Sequence, residues 1–165
     1  MTTSTNAILF YGYCWEEEDV SCPWKIGEED DEEEDEDDED WEKRYAFRKG
    51  CIPPSAKFPE KEGSKPKYSA AEKKIVDQYA AYWDKKQQLV EEATCEVATH
   101  CSGECPMPYV AVKASSTIAH RGTMKEITSL KADPTWDKAL TEFCALMGIK
   151  TDGLKAAWWL VSDWN

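Results

Sequence analysis

The residues best suited to chemistry are six cysteines and histidines that could act as soft metal ligands. Tetrahedral zinc sites take their ligands from these two residue types. The last four members of the set fall within eleven residues, whereas structural zinc sites usually hold two close pairs placed well apart. The chain also has no C-x2-C pair. Zinc binding is therefore the alternative hypothesis, and buried thiols without a cofactor are the favoured interpretation. The candidate ligands are Cys14, Cys22, Cys95, His100, Cys101 and Cys105.

A thiol nucleophile is a second possibility at the same place, because His100 directly precedes Cys101. Neighbouring residues of a strand point to opposite faces, so this imidazole would not reach that sulfur unless the turn has already begun. The chain lacks the phosphate-binding glycine loops, the G-x-S-x-G elbow and the H-E-x-x-H zinc motif. An enzyme is therefore the less favoured class.

The second candidate site is a run of thirteen consecutive carboxylates followed by a tryptophan. Residues 16–40 hold 17 of the 33 Asp and Glu residues and one of the 20 Lys and Arg residues, a net charge of −16. The chain as a whole has a net charge of −13, so the remainder carries only +3. The predicted partner-binding residues are Glu28, Glu29, Asp30, Asp31, Glu32, Glu33, Glu34, Asp35, Glu36, Asp37, Asp38, Glu39, Asp40 and Trp41.

A polyacidic segment of this kind predicts a basic partner. An extended chain advances about 3.3 Å per residue, close to the spacing of about 3.4 Å between phosphates along one DNA strand. The leading hypothesis is a non-enzymatic interaction protein whose acidic segment engages a basic protein surface. A DNA-mimic inhibitor of a nucleic-acid-binding protein, such as a phage or mobile-element protein acting against a host nuclease, fits this description. The same charge argues against direct binding of nucleic acid.

The acidic segment also has a possible partner within the chain. Residues 42–74 carry ten Lys and Arg residues against four Glu residues, and several prolines and glycines interrupt them. The acidic run could fold back loosely over this basic linker, which would lower the self-repulsion of both. This intramolecular alternative remains open.

Four strands and two helices are predicted to position these residues. Residues 7–15, 96–100, 109–119 and 156–164 have the apolar, β-branched and aromatic composition of strands. A capping box of the form Ser-x-x-Glu opens a helix at residue 69, and apolar residues then recur at helical spacing.

A second helix is indicated between Asp133-Pro134, which suit a helix start, and Gly148, which suits a helix end. Leu140 and Phe143 share its apolar face and are predicted to lie in the core.

The resulting order is β-α-β-β-α-β, which is the order of the ferredoxin-like split βαβ sandwich. An irregular α+β fold with the same elements is the alternative. Residues 1–165 are predicted to form a single α+β domain. Residues 16–67 are an embedded segment, in which the acidic loop 28–40 follows the first strand and a Pro/Lys-rich linker comes next.

The predicted location is the cytoplasm. No apolar run approaches the roughly 18 to 20 residues that span a bilayer, and the N-terminus lacks the pattern of an export signal. The seven cysteines are then expected to stay reduced, and no membrane partner is expected.

Overall fold

The structure, a computed structural model, describes residues 5–15, 41–60, 67–102, 106–151 and 153–164. A five-stranded sheet and three helices give it the predicted α+β class. By their contacts, residues 5–15 and 94–164 belong to one compact unit, here called the sheet unit, and residues 41–93 to a second, the helical unit. The elements are β1 (Thr5–Cys14), α1 (Trp41–Arg48), α2 (Ala70–Glu92), β2 (Cys95–Ser102), β3 (Pro106–Val112), β4 (Thr117–Ala119), α3 (Trp136–Met147) and β5 (Ala157–Trp164).

β1 is the central strand of the sheet unit. Gly12 pairs with both Ala111 of β3 and Ala157 of β5, so these two strands lie on opposite edges of β1. β4 continues along the edge that β3 occupies, and all three strands run antiparallel to β1. β2 pairs antiparallel with β3, and its last two residues pair with the end of β5. The pairings β1–β5, β5–β2, β2–β3 and β3–β1 therefore form a closed circuit.

The two faces of β1 are buried against different layers. On one face Ile8, Phe10 and Cys14 pack with Tyr109, and the Phe10 and Tyr109 rings stack with centroids 4.2 Å apart. Tyr11 points to the other face, since side chains alternate along a strand, and it contacts the first turn of α3. The buried residues of α3 are Leu140, Phe143, Cys144 and Met147. The prediction that Leu140 and Phe143 lie in the core is confirmed.

The helical unit has a small core of its own. Ala46, Cys51 and Tyr82 are buried together, and Leu89 packs against them. The predicted capping box opens α2, because the Ser69 hydroxyl accepts from the Glu72 backbone N–H and the Glu72 carboxylate accepts from the Ser69 backbone N–H.

Several elements differ from the predicted pattern. α1 lies in the segment predicted to be loop and linker, and the sequence pattern did not predict it. The third predicted strand, at 109–119, is divided into β3 and β4 by a 3-10 turn at Lys113–Ser115. The Ser115 hydroxyl secures this turn, because it donates to the Val112 carbonyl and accepts from the Tyr11 backbone N–H. With an additional helix and a divided strand, the ferredoxin-like arrangement stays a prediction.

The end regions of α3 agree only partly with the sequence. Gly148 ends the helix in the left-handed conformation with φ of 72°, as predicted. The helix begins at Trp136, two residues after the predicted start at Pro134. The Asp133 carboxylate instead accepts from the backbone and hydroxyl of Thr135, and the hydroxyl bond above all lowers the pKa of Asp133.

Candidate functional site

Of the predicted partner-binding residues, the structure describes only the last one, Trp41. Residues 28–40 lie outside the described residues. Trp41 is the first residue of α1, is partly buried, and meets Tyr45 edge-on with ring centroids 6.2 Å apart. The predicted partner-binding segment is thus followed in the sequence by an ordered helix.

The six predicted metal ligands do not gather into one described site. Cys22 and Cys105 lie outside the described residues, and Cys101 is partly exposed with a positive φ of 79°. Cys95 and His100 both lie on β2 but are five positions apart, so they point to opposite faces of the strand. Within the described ranges, no three His, Cys, Asp or Glu side chains are grouped so that they could hold a metal ion.

Two members of the set, Cys14 and His100, are in direct contact. The Cys14 sulfur lies 3.4 Å from His100 Nε2, and the two residues are 86 positions apart in the chain. Cys14 ends β1 and is only 5% exposed, while His100 lies near the end of β2 and is partly buried. In the sequence, Cys101 is the cysteine next to His100. In the fold, the sulfur in contact with the His100 ring is that of Cys14.

The surroundings of His100 orient its ring. The ring hydrogen-bonds to the Ser162 backbone, and the Asp163 carboxylate lies near enough to favour the charged imidazole. Burial is the stronger effect and lowers the pKa of His100. The lowered pKa favours the neutral imidazole at pH 7, and a neutral ring that donates its N–H to the Ser162 backbone leaves Nε2 to accept from the Cys14 thiol. We assign this tautomer from the hydrogen-bond partners.

Stability should fall in mild acid because of His100. An unfolded histidine titrates near pH 6.5, whereas the folded His100 resists protonation. As the pH drops below about 6.5, His100 binds a proton in the unfolded chain more readily than in the folded chain. The free energy of unfolding therefore decreases. We expect His100→Gln to reduce the loss of stability between pH 7.5 and 5.5, measured by urea denaturation. The exposed His120→Gln variant is the control, and an equal pH dependence in both variants would contradict the assignment.

The opposite face of β1 carries a second polar group. The Tyr11 hydroxyl donates to the Asp137 carboxylate at 2.7 Å, and this bond, with burial, raises the pKa of Tyr11 to about 12. The Tyr11, Trp136 and Trp158 rings contact one another with centroids 5.6 to 5.9 Å apart. The buried Trp158 Nε1 has no hydrogen-bond partner within the described part of the chain. Through the Tyr11–Asp137 hydrogen bond and the ring contacts, this group connects the first turn of α3 to β1 and β5.

No family model, no curated protein and no solved structure matches the chain. None of the helices in the described part of the chain is long and apolar enough to cross a bilayer.

Proposed function

We propose that the chain is a non-enzymatic interaction protein of the cytoplasm whose acidic segment 28–40 engages a basic surface on a partner protein. The observation that carries the proposal is the unbroken run of thirteen carboxylates. Outside residues 16–40 the chain has a net charge of only +3, so the negative charge is concentrated in one segment. A segment of this charge attracts basic surfaces over a distance of roughly 8 Å at physiological salt.

The class of partner follows from the spacing of the charges. An extended run of carboxylates at about 3.3 Å per residue resembles the phosphates of one nucleic-acid strand. Surfaces that bind nucleic-acid backbones therefore suit the segment, and a nuclease or another nucleic-acid-binding protein is the proposed partner. Its inhibition by competition with DNA is the proposed outcome.

An intramolecular partner is the competing explanation. α1 carries Lys43, Arg44 and Arg48 and begins immediately after the acidic run. Basic side chains this close in sequence could neutralise part of the run within the same molecule. The experiment must therefore separate binding between molecules from charge pairing within one.

The first test uses a variant in which all thirteen carboxylates are replaced by the matching amides. This variant keeps the length and the hydrogen-bonding capacity of the segment and removes only its charge. We expect the natural chain, and not the amide variant, to bind a labelled oligolysine peptide in fluorescence anisotropy. The affinity should fall steeply between about 50 mM and 200 mM salt, because the contacts are ionic. Equal binding of both chains would contradict the proposal, as would a segment held so firmly by its own molecule that neither binds.

The second test identifies the partner. Proteins captured from host extract by the natural chain and lost with the amide variant should be basic, and the chain should displace duplex DNA from them. Captured partners that keep their DNA would contradict the hypothesis that the acidic segment mimics DNA.

Deleting residues 28–40 should leave the melting temperature unchanged or raise it, because a run of carboxylates has no apolar side chain to bury and repels itself. A loss of cooperative unfolding would show that the segment is structural.

A second candidate function is a small thiol- or metal-dependent protein, and the Cys14–His100 contact favours it. Elemental analysis of the purified protein distinguishes a metal-dependent function from a thiol-dependent one. Stoichiometric zinc would support a metal site completed by residues outside the described ranges, whereas metal-free protein would direct attention to the thiol itself.

A further inference from the structure

Cys14 differs in its surroundings from the other cysteines that the structure describes. Cys95 and Cys144 are at most 3% exposed, and burial raises the pKa of these thiols to about 12 and about 11. The Cys51 thiol donates to the Tyr82 carbonyl. Among the five described cysteines, Cys14 is the one whose sulfur lies against an imidazole nitrogen.

The contact has the form of a nucleophile with its base. An activated thiol needs a proton acceptor within hydrogen-bond reach and a third group that holds the acceptor in place. His100 Nε2 is the acceptor, and the Ser162 backbone holds the ring from a different strand. The Asp163 carboxylate can stabilise the imidazolium that forms when the thiol proton is transferred.

Burial and charge restrict the electrophile. Only 5% of Cys14 is exposed, so a small reactant has better access to this residue than a large one. Four carboxylates follow Cys14 closely in the sequence, at residues 16–19. Anionic reactants are therefore repelled, and a small uncharged one is favoured.

We propose that Cys14 is a base-assisted thiol that is oxidised by hydrogen peroxide. The Cys14 sulfur attacks one peroxide oxygen, so that an S–O bond forms and the O–O bond breaks. The thiol proton passes to His100 Nε2 and from there to the leaving hydroxide, which departs as water. The sulfur is oxidised by two electrons to a sulfenic acid, and the peroxide is reduced to water. This chemistry is independent of the acidic segment and of its partner.

The experiment compares cysteines of similar burial within one molecule. The full chain is exposed to hydrogen peroxide, the peroxide is removed with catalase, and the remaining thiols are alkylated in denaturant. Peptide mass spectrometry then reports the oxidised fraction at each cysteine. We expect Cys14 to be oxidised about tenfold faster than Cys95 and Cys144 or more, since base assistance typically contributes at least that factor. Oxidation of Cys14 no faster than that of Cys95 would overturn the proposal.

Replacing the base tests its role separately. His100→Gln should slow the oxidation of Cys14 about tenfold and leave Cys95 and Cys144 unchanged. If His100 only packs against the thiol, the variant would loosen the sheet and speed the oxidation of Cys14 and Cys95 together, which would contradict base assistance. The comparison within the unaltered chain stands even if this variant fails to fold. Deleting residues 28–40 should preserve the preference for Cys14, so failure of the proposed partner binding would be seen separately.

Discussion

Replacing Gly12 with alanine is expected to destabilise the sheet unit by at least about 3 kcal/mol, at the upper end of what overpacking usually costs. A Cβ atom at this position would lie 1.9 Å from the Val110 backbone oxygen and 2.9 Å from the Ala111 Cα. Both are backbone atoms of the paired strand β3, so no flexible side chain can move aside. Gly12 is also fixed from the other edge of β1, because its carbonyl accepts from the Trp159 indole N–H. The backbones of β1 and β3 would therefore have to move apart at this position.

The matched control for Gly12→Ala is Gly122→Ala in the same unit. Gly122 has φ of 78°, and a Cβ atom added there would have no neighbouring atom within 4 Å, so alanine meets backbone strain but no clash. Its expected cost is about 1 to 2 kcal/mol, the usual penalty for a left-handed residue with a Cβ. Chemical denaturation monitored by near-UV circular dichroism measures both variants. A smaller loss for Gly12→Ala than for Gly122→Ala would mean that the two strands do not approach as described.

The close approach at Gly12 was not predicted from the sequence, although the pattern around this residue is consistent with it. A glycine inside an otherwise apolar and aromatic strand often marks a place where two backbones meet. Residues 7–15 show that pattern, but the identity of the approaching strand is a property of the fold. The composition of the strand is compatible with a close contact at Gly12, but it does not identify the Val110 backbone as the group that lies there.

Local signals account for the elements that were predicted well. The capping box at Ser69 and Glu72 involves residues three apart, and the apolar spacing of α3 repeats within 12 residues. Such patterns act within one element and need no knowledge of the rest of the chain. They therefore predicted α2, α3 and the buried face of α3.

Contacts between distant residues explain the elements that were missed. α1 has only eight residues, and its buried Ala46 packs with Tyr82 of α2 in the helical unit's core. Short helices depend on such tertiary packing more than on their own propensity. The turn between β3 and β4 likewise depends on a hydrogen bond from Tyr11 to Ser115, 104 positions away.

The candidate site shows the same division between local and distant information. The sequence selected His100 and the cysteines near it, and it included Cys14 as one of two more distant ligands. It could not show that β1 and β2 place Cys14 against His100 while Cys95 faces the other side of β2. Because Cys95 and His100 lie on opposite faces of β2, they do not belong to one group of ligands. The contact that the fold forms is between the Cys14 thiol and His100, its proposed base. The polyacidic run, by contrast, is a property of the sequence alone.

Leu140→Ala should have the second large effect on stability. Leu140 is completely buried in α3, on the face that also holds Phe143, Cys144 and Met147. Removing three carbon atoms there loses their transfer free energy and leaves a cavity, so the expected cost is about 2 to 5 kcal/mol. The loss should appear in the free energy of unfolding in urea, with little change in the α-helical signal of the folded state.

Leu146→Ala is the matched control for Leu140, because it makes the same chemical change on the same helix. Leu146 is only partly buried, and alanine has at least as high a helix propensity as leucine. We therefore expect a loss of less than about 1 kcal/mol at this position, within the range of substitutions away from the core. If Leu140→Ala cost no more than Leu146→Ala, the buried face of α3 would be assigned wrongly. A large loss for Leu140 alone would support the burial of this helix face. α3 contacts the side of β1 that carries Tyr11, whereas Cys14 lies on the other side of that strand.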